Sequence, residues 1–261
     1  MTYVLGIDIG SAFSKGIISS DQEVLTSFLI PSGADYKLTA DKVKKELLLK
    51  VGLSPTDIAF NVATGYGAKT VGFADHSITD ISAHGKGISS LFPSVRTVMD
   101  VGDLYSKAFR IDEKGNLLNF LLSGKCAGGS GRVLQVIAKV LQLNVEDIGD
   151  LSLKSRKRVD FGTGCVVFAE SEAVSRVAEG MSKEDLLAGI HRALSGQLKS
   201  LAERVGIEKD FALVGGGARD KGLVQAMQET MDFKIIVPPE PHLTAALGAS
   251  IIATEMSKAE G

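Results

Sequence analysis

Residues 4–15 read Val4-Leu5-Gly6-Ile7-Asp8-Ile9-Gly10-Ser11-Ala12-Phe13-Ser14-Lys15, an apolar run that ends in an aspartate and a glycine turn. Val4–Ile9 is apolar except for Asp8, a pattern typical of a continuous buried β-strand. Two strand-like stretches, an amphipathic helical pattern and a further strand follow in order: Ser14–Ser19, Val24–Leu29, Thr39–Val51 and Ile58–Thr64. The sequence therefore predicts a three-stranded meander followed by a helix and a fourth strand.

The same order of elements begins again after Pro93. Arg96–Met99 is strand-like and ends at Asp100-Val101-Gly102, 92 residues after the first Asp-x-Gly signal. Two strands and a helix start then follow in the same order: Ser106–Ile111, Leu117–Leu122 and a helix near Ser130. Because the whole order of elements repeats, we interpret it as an internal duplication. We predict an α/β protein of two similar lobes that face each other, over residues 1–94 and 95–261.

The remainder of the second half is mostly helical. Ser182 is the predicted N-cap of a long helix with an apolar stripe. Further elements are predicted in this order: a strand at Phe211–Val214, a helix from Asp220, a strand at Lys234–Val237 and a small-residue helix at Thr244–Ala253.

Composition excludes several classes of protein. The 261 residues contain 29 Lys plus Arg and 31 Asp plus Glu, so the formal charge of −2 does not suit a nucleic-acid binder or a polybasic membrane protein. With 44% hydrophobic and 23% charged residues, the chain has the composition of a folded globular protein. The sequence has no apolar run of membrane-spanning length and begins without a signal-peptide pattern, so we expect a cytoplasmic protein with no membrane partner.

The first Asp-x-Gly signal has the features of a phosphate site. Asp8 stands at a strand end, and the turn at Gly10 offers backbone N–H groups to a phosphate together with the hydroxyls of Ser11 and Ser14. Lys15 could neutralise phosphate charge. The segment is not a Walker loop, because the Gly-Lys-Ser/Thr core is absent.

Two later signals complete a candidate nucleotide site. Asp100 and Gly102 repeat the first signal, and two facing strand-end aspartates would suit a hydrated Mg²⁺ ion. Gly215-Gly216-Gly217 lies between a strand and a helix, where the backbone can approach a nucleoside closely. Each motif alone is most often an ordinary glycine turn. All three at strand ends, in this order, favour a nucleotide.

The two cysteines, Cys126 and Cys165, each precede a predicted helix. A helix N-terminus lowers the pKa of a thiol, so both positions suit thiolate ligands of an anionic cluster. A [4Fe–4S] cluster takes four cysteines, which a two-fold dimer would supply. Two isolated cysteines are nevertheless more often small buried hydrophobes, and the spacing alone favours that role.

Six segments carry a resemblance that covers essentially the whole chain: Gly6–Ser11, Ala63–Gly67, Lys125–Arg132, Cys165–Glu172, Gly189–Arg192 and Val214–Gly217. The 39-residue spacing between the cysteines is part of it. Together these segments resemble the ATPases that include the 2-hydroxyacyl-CoA dehydratase activators (archerases) and the ATP-binding subunits of benzoyl-CoA reductase. This family consists of acyl-CoA enzyme activases of the ASKHA superfamily.

The resemblance implies two ribonuclease-H-like lobes of the actin/hexokinase/Hsp70 type with ATP·Mg²⁺ between them. It also implies a homodimer, or a pair with a paralogous subunit, that holds one [4Fe–4S] cluster through Cys126 and Cys165 of each subunit. ATP binding and hydrolysis would change the angle between the helices that face the cluster. A low-potential electron from ferredoxin or flavodoxin would then pass to an acyl-CoA dehydratase or reductase component, in anaerobic metabolism.

The family's site residues carry over by motif. The first phosphate motif corresponds to Asp8, Gly10, Ser11, Ser14 and Lys15, the second to Asp100 and Gly102, and the adenosine motif to Gly215, Gly216 and Gly217. The candidate catalytic groups are Asp8, Asp100 and Asp103, and the candidate metal ligands are Cys126 and Cys165.

One segment departs from the family pattern. The second phosphate motif of the activators usually reads Asp-Ile-Gly-Gly-Gln-Asp, whereas this chain has Asp100-Val101-Gly102-Asp103-Leu104-Tyr105. Leu104 replaces the glutamine that would contact the phosphate or its attacking water, which is more similar to the smaller ATPase subunits of benzoyl-CoA reductase. Either Asp103 takes part in hydrolysis or this subunit hydrolyses ATP slowly.

Two other functions fit the same fold. A sugar or metabolite kinase would need a catalytic aspartate directed at a substrate hydroxyl and no cysteines. A nucleotide-dependent scaffold of the actin type would form filaments. The basic run Lys154–Arg158 is interpreted as a solvated surface, with docking to an acidic partner as the alternative. The four histidines have no metal-ligand spacing.

Overall fold

The computed structural model describes residues 2–21, 23–124, 129–157, 159–161 and 166–260, without the side chains of 166, 167 and 260. The chain forms two compact units. Unit 1 contains residues 1–94, 111–117 and 243–261, and unit 2 contains 95–110 and 118–242. The division differs from the predicted 1–94 and 95–261, because residues 111–117 and the C-terminal segment belong to unit 1. No helix in the described part of the chain is long and apolar enough to cross a membrane.

Unit 1 is built on a five-stranded sheet with strand order β3-β2-β1-β4-β5. Its meander of β1, β2 and β3 is antiparallel, and β4 runs parallel to β1. These strands confirm the predicted order. The strands are β1 (Tyr3–Ile9), β2 (Phe13–Ser20), β3 (Glu23–Pro31), β4 (Ile58–Thr64) and β5 (His76–Ser77).

Two helices cover the faces of this sheet, α1 (Tyr36–Val51) and α8 (Thr244–Glu260), where α8 is numbered by its place in the chain. A third, α2 (Asp80–Leu91), packs on α8. Leu5, Ile7 and Ile9 of β1 pack in one cluster with α1, whereas Val4 packs with residues of α8. Burial on both faces explains why β1 is a continuous apolar run rather than an alternating one.

The C-terminal helix α8 packs closely against α2, as its small residues predict. A Cβ atom at Gly248 would lie 1.7 Å from the carbonyl oxygen of Ala83, so this helix contact requires glycine. Near the start of α8, Nδ1 of His84 lies 2.6 Å from Oγ1 of Thr244, and both side chains are buried. The last helix is therefore an integral part of the first unit.

Unit 2 has a four-stranded sheet with strand order β8-β7-β6-β9. Strand β6 pairs antiparallel with β7 and parallel with β9. This arrangement repeats the order of β2, β1 and β4 in unit 1, which supports the predicted duplication. The strands are β6 (Thr97–Val101), β7 (Ser106–Ile111), β8 (Leu117–Leu122) and β9 (Phe211–Val214).

The helices of unit 2 surround one apolar cluster that includes Phe211, Leu213, Leu194 and Ile137. Ser182 caps the longest helix, as predicted, by accepting a hydrogen bond from the backbone N–H of Asp185. The helices are α3 (Arg132–Val140), α4 (Ile148–Ser152), α5 (Val166–Ala178), α6 (Lys183–Val205) and α7 (Lys221–Met231).

One predicted strand is wrong. Lys234–Val237 does not form a strand, and only Ile236 makes an isolated parallel bridge, to Ala212. Ile236 donates to the carbonyl of Phe211 and accepts from the N–H of Leu213. The ladder ends there because Pro238 and Pro239 have no N–H to donate.

Residues 155–157 of the basic run are held by a buried carboxylate at the start of α6, and Arg158 lies outside the described residues. One oxygen of Asp185 accepts hydrogen bonds from the backbone N–H groups of Arg156 and Lys157 and from the hydroxyl of Ser155. The N–H of Lys157 and the hydroxyl of Ser182 are the main causes that hold the pKa of Asp185 well below its ordinary value. The loop at 155–157 is therefore anchored to the fold by its backbone.

We expect Asp185→Ala to lower the free energy of unfolding by about 2 kcal/mol at pH 7, because it leaves two backbone donors without their acceptor. The folded pKa is the lower one, so this stabilisation is complete above the unfolded carboxyl pKa of about 3.9 and disappears as the pH falls through the folded value. Urea unfolding at neutral and acidic pH measures both effects. The control is Asp150→Ala, which removes an exposed pair with Lys221 and should change stability little.

Candidate active site

In unit 1, Asp8 lies near the end of β1 directly opposite Lys15 on β2. Nζ of Lys15 is 2.6 Å from Oδ2 of Asp8, and the two side chains are only 13% and 7% exposed. A cation and a carboxylate are thus fixed together at the end of the sheet. The antiparallel register is the reason that two residues seven positions apart meet here.

Gly65, directly after β4, lies against the same carboxylate. Its φ is +90°, and a Cβ atom there would be 2.2 Å from Oδ1 of Asp8. Only glycine adopts this backbone conformation readily and leaves room for the aspartate. Asp8, Lys15 and Gly65 form what we call the first Asp–Lys–Gly module.

The turn after Asp8 is stabilised from within the unit. The hydroxyl of Ser32 donates to the carbonyl of Gly10 at 2.7 Å and lies 2.8 Å from the hydroxyl of Ser14. Ser14 is fully buried, so its hydroxyl supports this turn and is not presented to solvent. Ser11 is partly exposed in the turn itself. Of the two hydroxyls predicted to cradle phosphate, Ser11 is the better placed.

Unit 2 contains the same arrangement. Asp100 of β6 is opposite Lys107 of β7, with Nζ 3.0 Å from Oδ2 and side-chain exposures of 4% and 12%. Gly215, directly after β9, has φ +85°, and a Cβ atom there would be 2.1 Å from Oδ1 of Asp100. Asp100, Lys107 and Gly215 are the second Asp–Lys–Gly module.

The two modules match residue by residue, and each unit therefore carries one copy of the same charged site. Gly102 follows Asp100 as Gly10 follows Asp8, and Lys107 follows Asp100 by the same seven positions. Sequence reasoning missed Lys107 and Gly65. The equal Asp-to-Lys spacing in the two halves was the signal that could have identified Lys107.

The two remaining glycines of the adenosine motif differ in their surroundings. A Cβ atom at Gly217 would lie 2.4 Å from Cγ1 of Val101, so this glycine packs tightly on β6. At Gly216, no heavy atom of the described residues outside its chain neighbours lies within 4 Å of an added Cβ. Gly216 is therefore where the motif presents open backbone that a nucleoside could contact.

Asp103 has contacts different from those of the other two candidate aspartates. Nη2 of Arg132 lies 2.5 Å from Oδ2 of Asp103, and Nε2 of Gln135 lies 3.1 Å from Oδ1. The Asp103 side chain is only 8% exposed. Both oxygens of this carboxylate therefore accept hydrogen bonds from the first turns of α3.

A model of the BadF/BadG/BcrA/BcrD ATPase family matches residues 5–253. The chain belongs to this family. The match confirms the resemblance found in the sequence, and membership makes the protein one of a family of ATPases.

Named relatives of this BadF/BadG/BcrA/BcrD-family ATPase include both branches that the sequence resembles. The 2-hydroxyisocaproyl-CoA dehydratase activator of Clostridioides difficile is 39% identical over 98% of this chain and 96% of the relative. One of the benzoyl-CoA reductase subunits of Thauera aromatica is 30% identical over 96% of this chain and 93% of the relative. The sequence identity with the activator is thus higher than that with the reductase subunit. The segment around Leu104 nevertheless departs from the activator motif.

Solved structures confirm the predicted α/β fold of the actin/hexokinase/Hsp70 type. The activator of the 2-hydroxyisocaproyl-CoA dehydratase from Clostridium difficile, solved with bound ADPNP, superposes with a TM-score of 0.94 at 38% identity, covering 99% of this chain and 97% of that one. A ROK-family glucokinase from Streptomyces griseus has a TM-score of 0.60 at 12% identity, covering 97% and 99%, and shares the fold alone.

The two cysteines of this family member, Cys126 and Cys165, lie outside the described residues. The helices that follow them are described: α3 begins at Arg132, and α5 begins at Val166, the residue after Cys165. These two helices pack against each other in unit 2. Among the described residues, no group of three or more His, Cys, Asp or Glu side chains could hold a metal ion.

His191, which lies in one of the family-like segments, has a structural position. Its ring is 1% exposed within α6, and Nε2 lies 3.1 Å from Oδ2 of Asp220. Asp220 also caps α7 by accepting the N–H of Leu223. The histidine therefore joins two helices of the core.

Proposed function

We propose that this protein is an ATP-hydrolysing electron-transfer protein, which activates an acyl-CoA dehydratase or reductase component. The observation that carries the proposal is the pair of Asp–Lys–Gly modules in a chain of this ATPase family. Support also comes from the related activator structure, which binds the nucleotide analogue ADPNP.

The charges of the modules suit ATP·Mg²⁺. Each module offers a lysine ammonium, which attracts phosphate oxygens, and a carboxylate, which suits a hydrated Mg²⁺ ion. We assign Asp8 and Asp100 to the metal and its water shell, and Lys15 and Lys107 to the phosphates. All four side chains are nearly buried and already paired, so little ordering is required when the nucleotide binds.

The turn at Gly10 and Ser11 would supply backbone N–H groups to the phosphates. Gly102 would shape the second turn, because its own N–H donates to the carbonyl of Tyr105. Gly215, Gly216 and Gly217 would lie against the nucleoside, with the open backbone at Gly216 as the contact. Because Ser14 is buried beneath the first turn, we assign it to the support of Gly10.

The chain also has the features needed to hold a [4Fe–4S] cluster with a second subunit. Cys165 immediately precedes α5 and Cys126 precedes α3, and these helices are packed neighbours. The N-terminus of α5 favours the Cys165 thiolate and the anionic centre that it would bind, whereas Cys126 lies six positions before α3. The cluster would supply the low-potential electron, and the thiolates of two subunits, either identical or paralogous, would hold it. Ferredoxin or flavodoxin would be the donor.

The partner follows from the relatives. Their names describe activators of acyl-CoA dehydratases and a component of benzoyl-CoA reductase. We therefore propose that this protein delivers its electron to an enzyme that acts on an acyl-CoA thioester, with ATP hydrolysis as the driving reaction.

Anaerobic purification followed by iron, sulfide and visible-absorption measurements tests the proposal. We expect a brown dimer with about four iron atoms. Cys126→Ser and Cys165→Ser should each lose iron and retain ATP binding. A colourless, iron-free protein with normal ATP binding would contradict the electron-transfer function, and a phosphorylated product from a sugar panel would support a kinase instead.

A further inference from the structure

The loop between β6 and β7 is bonded to the start of α3 by three hydrogen bonds. The N–H of Gly131 donates to the carbonyl of Gly102 at 2.8 Å. Arg132 and Gln135 donate to the two oxygens of Asp103, at 2.5 and 3.1 Å. We call these three bonds the loop–α3 contacts.

The charged contact is shielded on one side only, because the Asp103 side chain is 8% exposed and the Arg132 side chain is 46% exposed. The Arg132–Asp103 bond joins a guanidinium and a carboxylate, a type of hydrogen bond about twice as strong as a neutral one. The pKa of Arg132 is raised, first by its hydrogen bond to Asp103 and then by the charge of that carboxylate. Each oxygen of Asp103 accepts one hydrogen bond from α3, so the carboxylate is held toward this helix.

The contacts connect two parts of the proposed mechanism. On one side, Asp103 lies three positions after Asp100, in the second phosphate motif. On the other side, α3 begins six positions after Cys126. Val133, Leu134 and Ile137 of this helix are buried in the core of unit 2. A movement of the loop would therefore act on a helix that is packed in the core of unit 2.

We propose that Asp103 is a positioning residue that transmits the state of the nucleotide from the second phosphate motif to α3 and the segment carrying Cys126. This inference rests on the proposed function. The hydrogen bonds of Asp103 to Arg132 and Gln135 join the loop directly to the start of this helix.

Hydrogen–deuterium exchange on the full-length, anaerobically purified protein tests the inference. We measure the backbone amides of residues 132–140 without nucleotide and with AMP-PNP and Mg²⁺. In the wild type, we expect nucleotide to slow exchange at the start of α3 about tenfold. Arg132→Ala and Asp103→Ala should remove this difference, and Arg132→Lys, which keeps the charge, should restore part of it.

The matched control is Arg110→Ala, which removes another ion pair of unit 2, between Arg110 and Glu208, away from the loop. It should keep the full nucleotide-dependent difference. Since the readout is a difference between two nucleotide states, a variant that merely loosens α3 in both states would not reproduce the expected result.

The outcomes separate the two proposals. If wild type binds nucleotide and α3 exchanges at the same rate in both states, or if Arg132→Ala keeps the difference, the inference is overturned. Iron and sulfide assays on the same sample test the electron-transfer function independently. A wild type that binds no nucleotide would overturn both.

Discussion

Asp100→Asn lowers the rate of ATP hydrolysis by at least about 100-fold, the effect expected when a preorganised charged group is removed from a site of phosphoryl transfer. Asparagine has nearly the same shape as aspartate, but it lacks the negative charge with which we propose that Asp100 binds the Mg²⁺ ion and its water shell. The rate of phosphate release at saturating ATP and Mg²⁺ measures the effect.

The same substitution also affects stability, and a second variant separates the two effects. Asp100→Asn removes the negative charge 3.0 Å from the nearly buried ammonium of Lys107. Breaking such a pair from one side costs about 3 kcal/mol. The double variant Asp100→Asn with Lys107→Met removes both charges and should recover most of the unfolding free energy.

The double variant should remain inactive, because neither the carboxylate nor the ammonium is restored. Urea unfolding and phosphate release, measured on both variants, distinguish a catalytic role of Asp100 from a purely structural one. If the double variant regains stability and hydrolysis together, Asp100 is a structural partner of Lys107, and the assignment of its carboxylate to the metal is wrong.

Most of the fold could be predicted from the sequence because its strands are marked by local patterns. The runs at β7, β8 and β9 have the predicted bounds. β8 and β9 are mostly apolar, and β7 mixes polar and apolar residues but is followed by the turn at Glu113–Asn116. The helix α2 was missed. It is short and rich in Gly, Ser and Ala, and it is stabilised by its contact with α8, more than 150 residues away in the chain.

The return of α8 to unit 1 could not be predicted for the same reason. Its small residues indicate close packing, but nothing in a helical pattern specifies the partner. At Lys234–Val237, by contrast, the local pattern predicted a strand that the fold does not contain. The apolar residues of this segment resemble a strand, but the prolines that follow leave a single bridge at Ile236.

Only some residues of the candidate site could be predicted from the sequence. Asp8, Lys15 and Asp100 stand in recognisable motifs, whereas Lys107 was found only through the strand register that places it opposite Asp100. The role of Asp103 depends on Arg132, which is separated from it by 29 positions and by strands β7 and β8. Contacts of this range arise from tertiary packing and have no local signature.

Gly215→Ala destabilises unit 2 by about 4 kcal/mol or prevents folding, through backbone strain and a steric clash. Gly215 has φ +85° and ψ 179°, a conformation that is almost confined to glycine. Its added methyl group would lie 2.1 Å from Oδ1 of Asp100 and 2.9 Å from the carbonyl oxygen of Val101. Neither atom can move without disturbing the end of the buried strand β6.

The neighbouring glycine provides the matched control. Gly216→Ala adds its methyl group where no described heavy atom outside its chain neighbours lies within 4 Å, so the free energy of unfolding should stay within about 1 kcal/mol of wild type. Because we place the nucleoside against this backbone, the same variant should weaken ATP binding. Urea unfolding and equilibrium binding of a fluorescent ATP analogue measure the two quantities separately.

Unit 1 offers an independent repeat of this experiment. Gly65→Ala should be as damaging as Gly215→Ala, since φ is +90° and the methyl group would lie 2.2 Å from Oδ1 of Asp8. Gly72→Ala, at a position with an ordinary φ and open surroundings, should be tolerated. If Gly65→Ala and Gly215→Ala both fold with wild-type stability, the contact between glycine and carboxylate is not what shapes the two modules. Equal losses at both positions would instead show that each half of the duplicated chain depends on a glycine to fit the strand end around its aspartate.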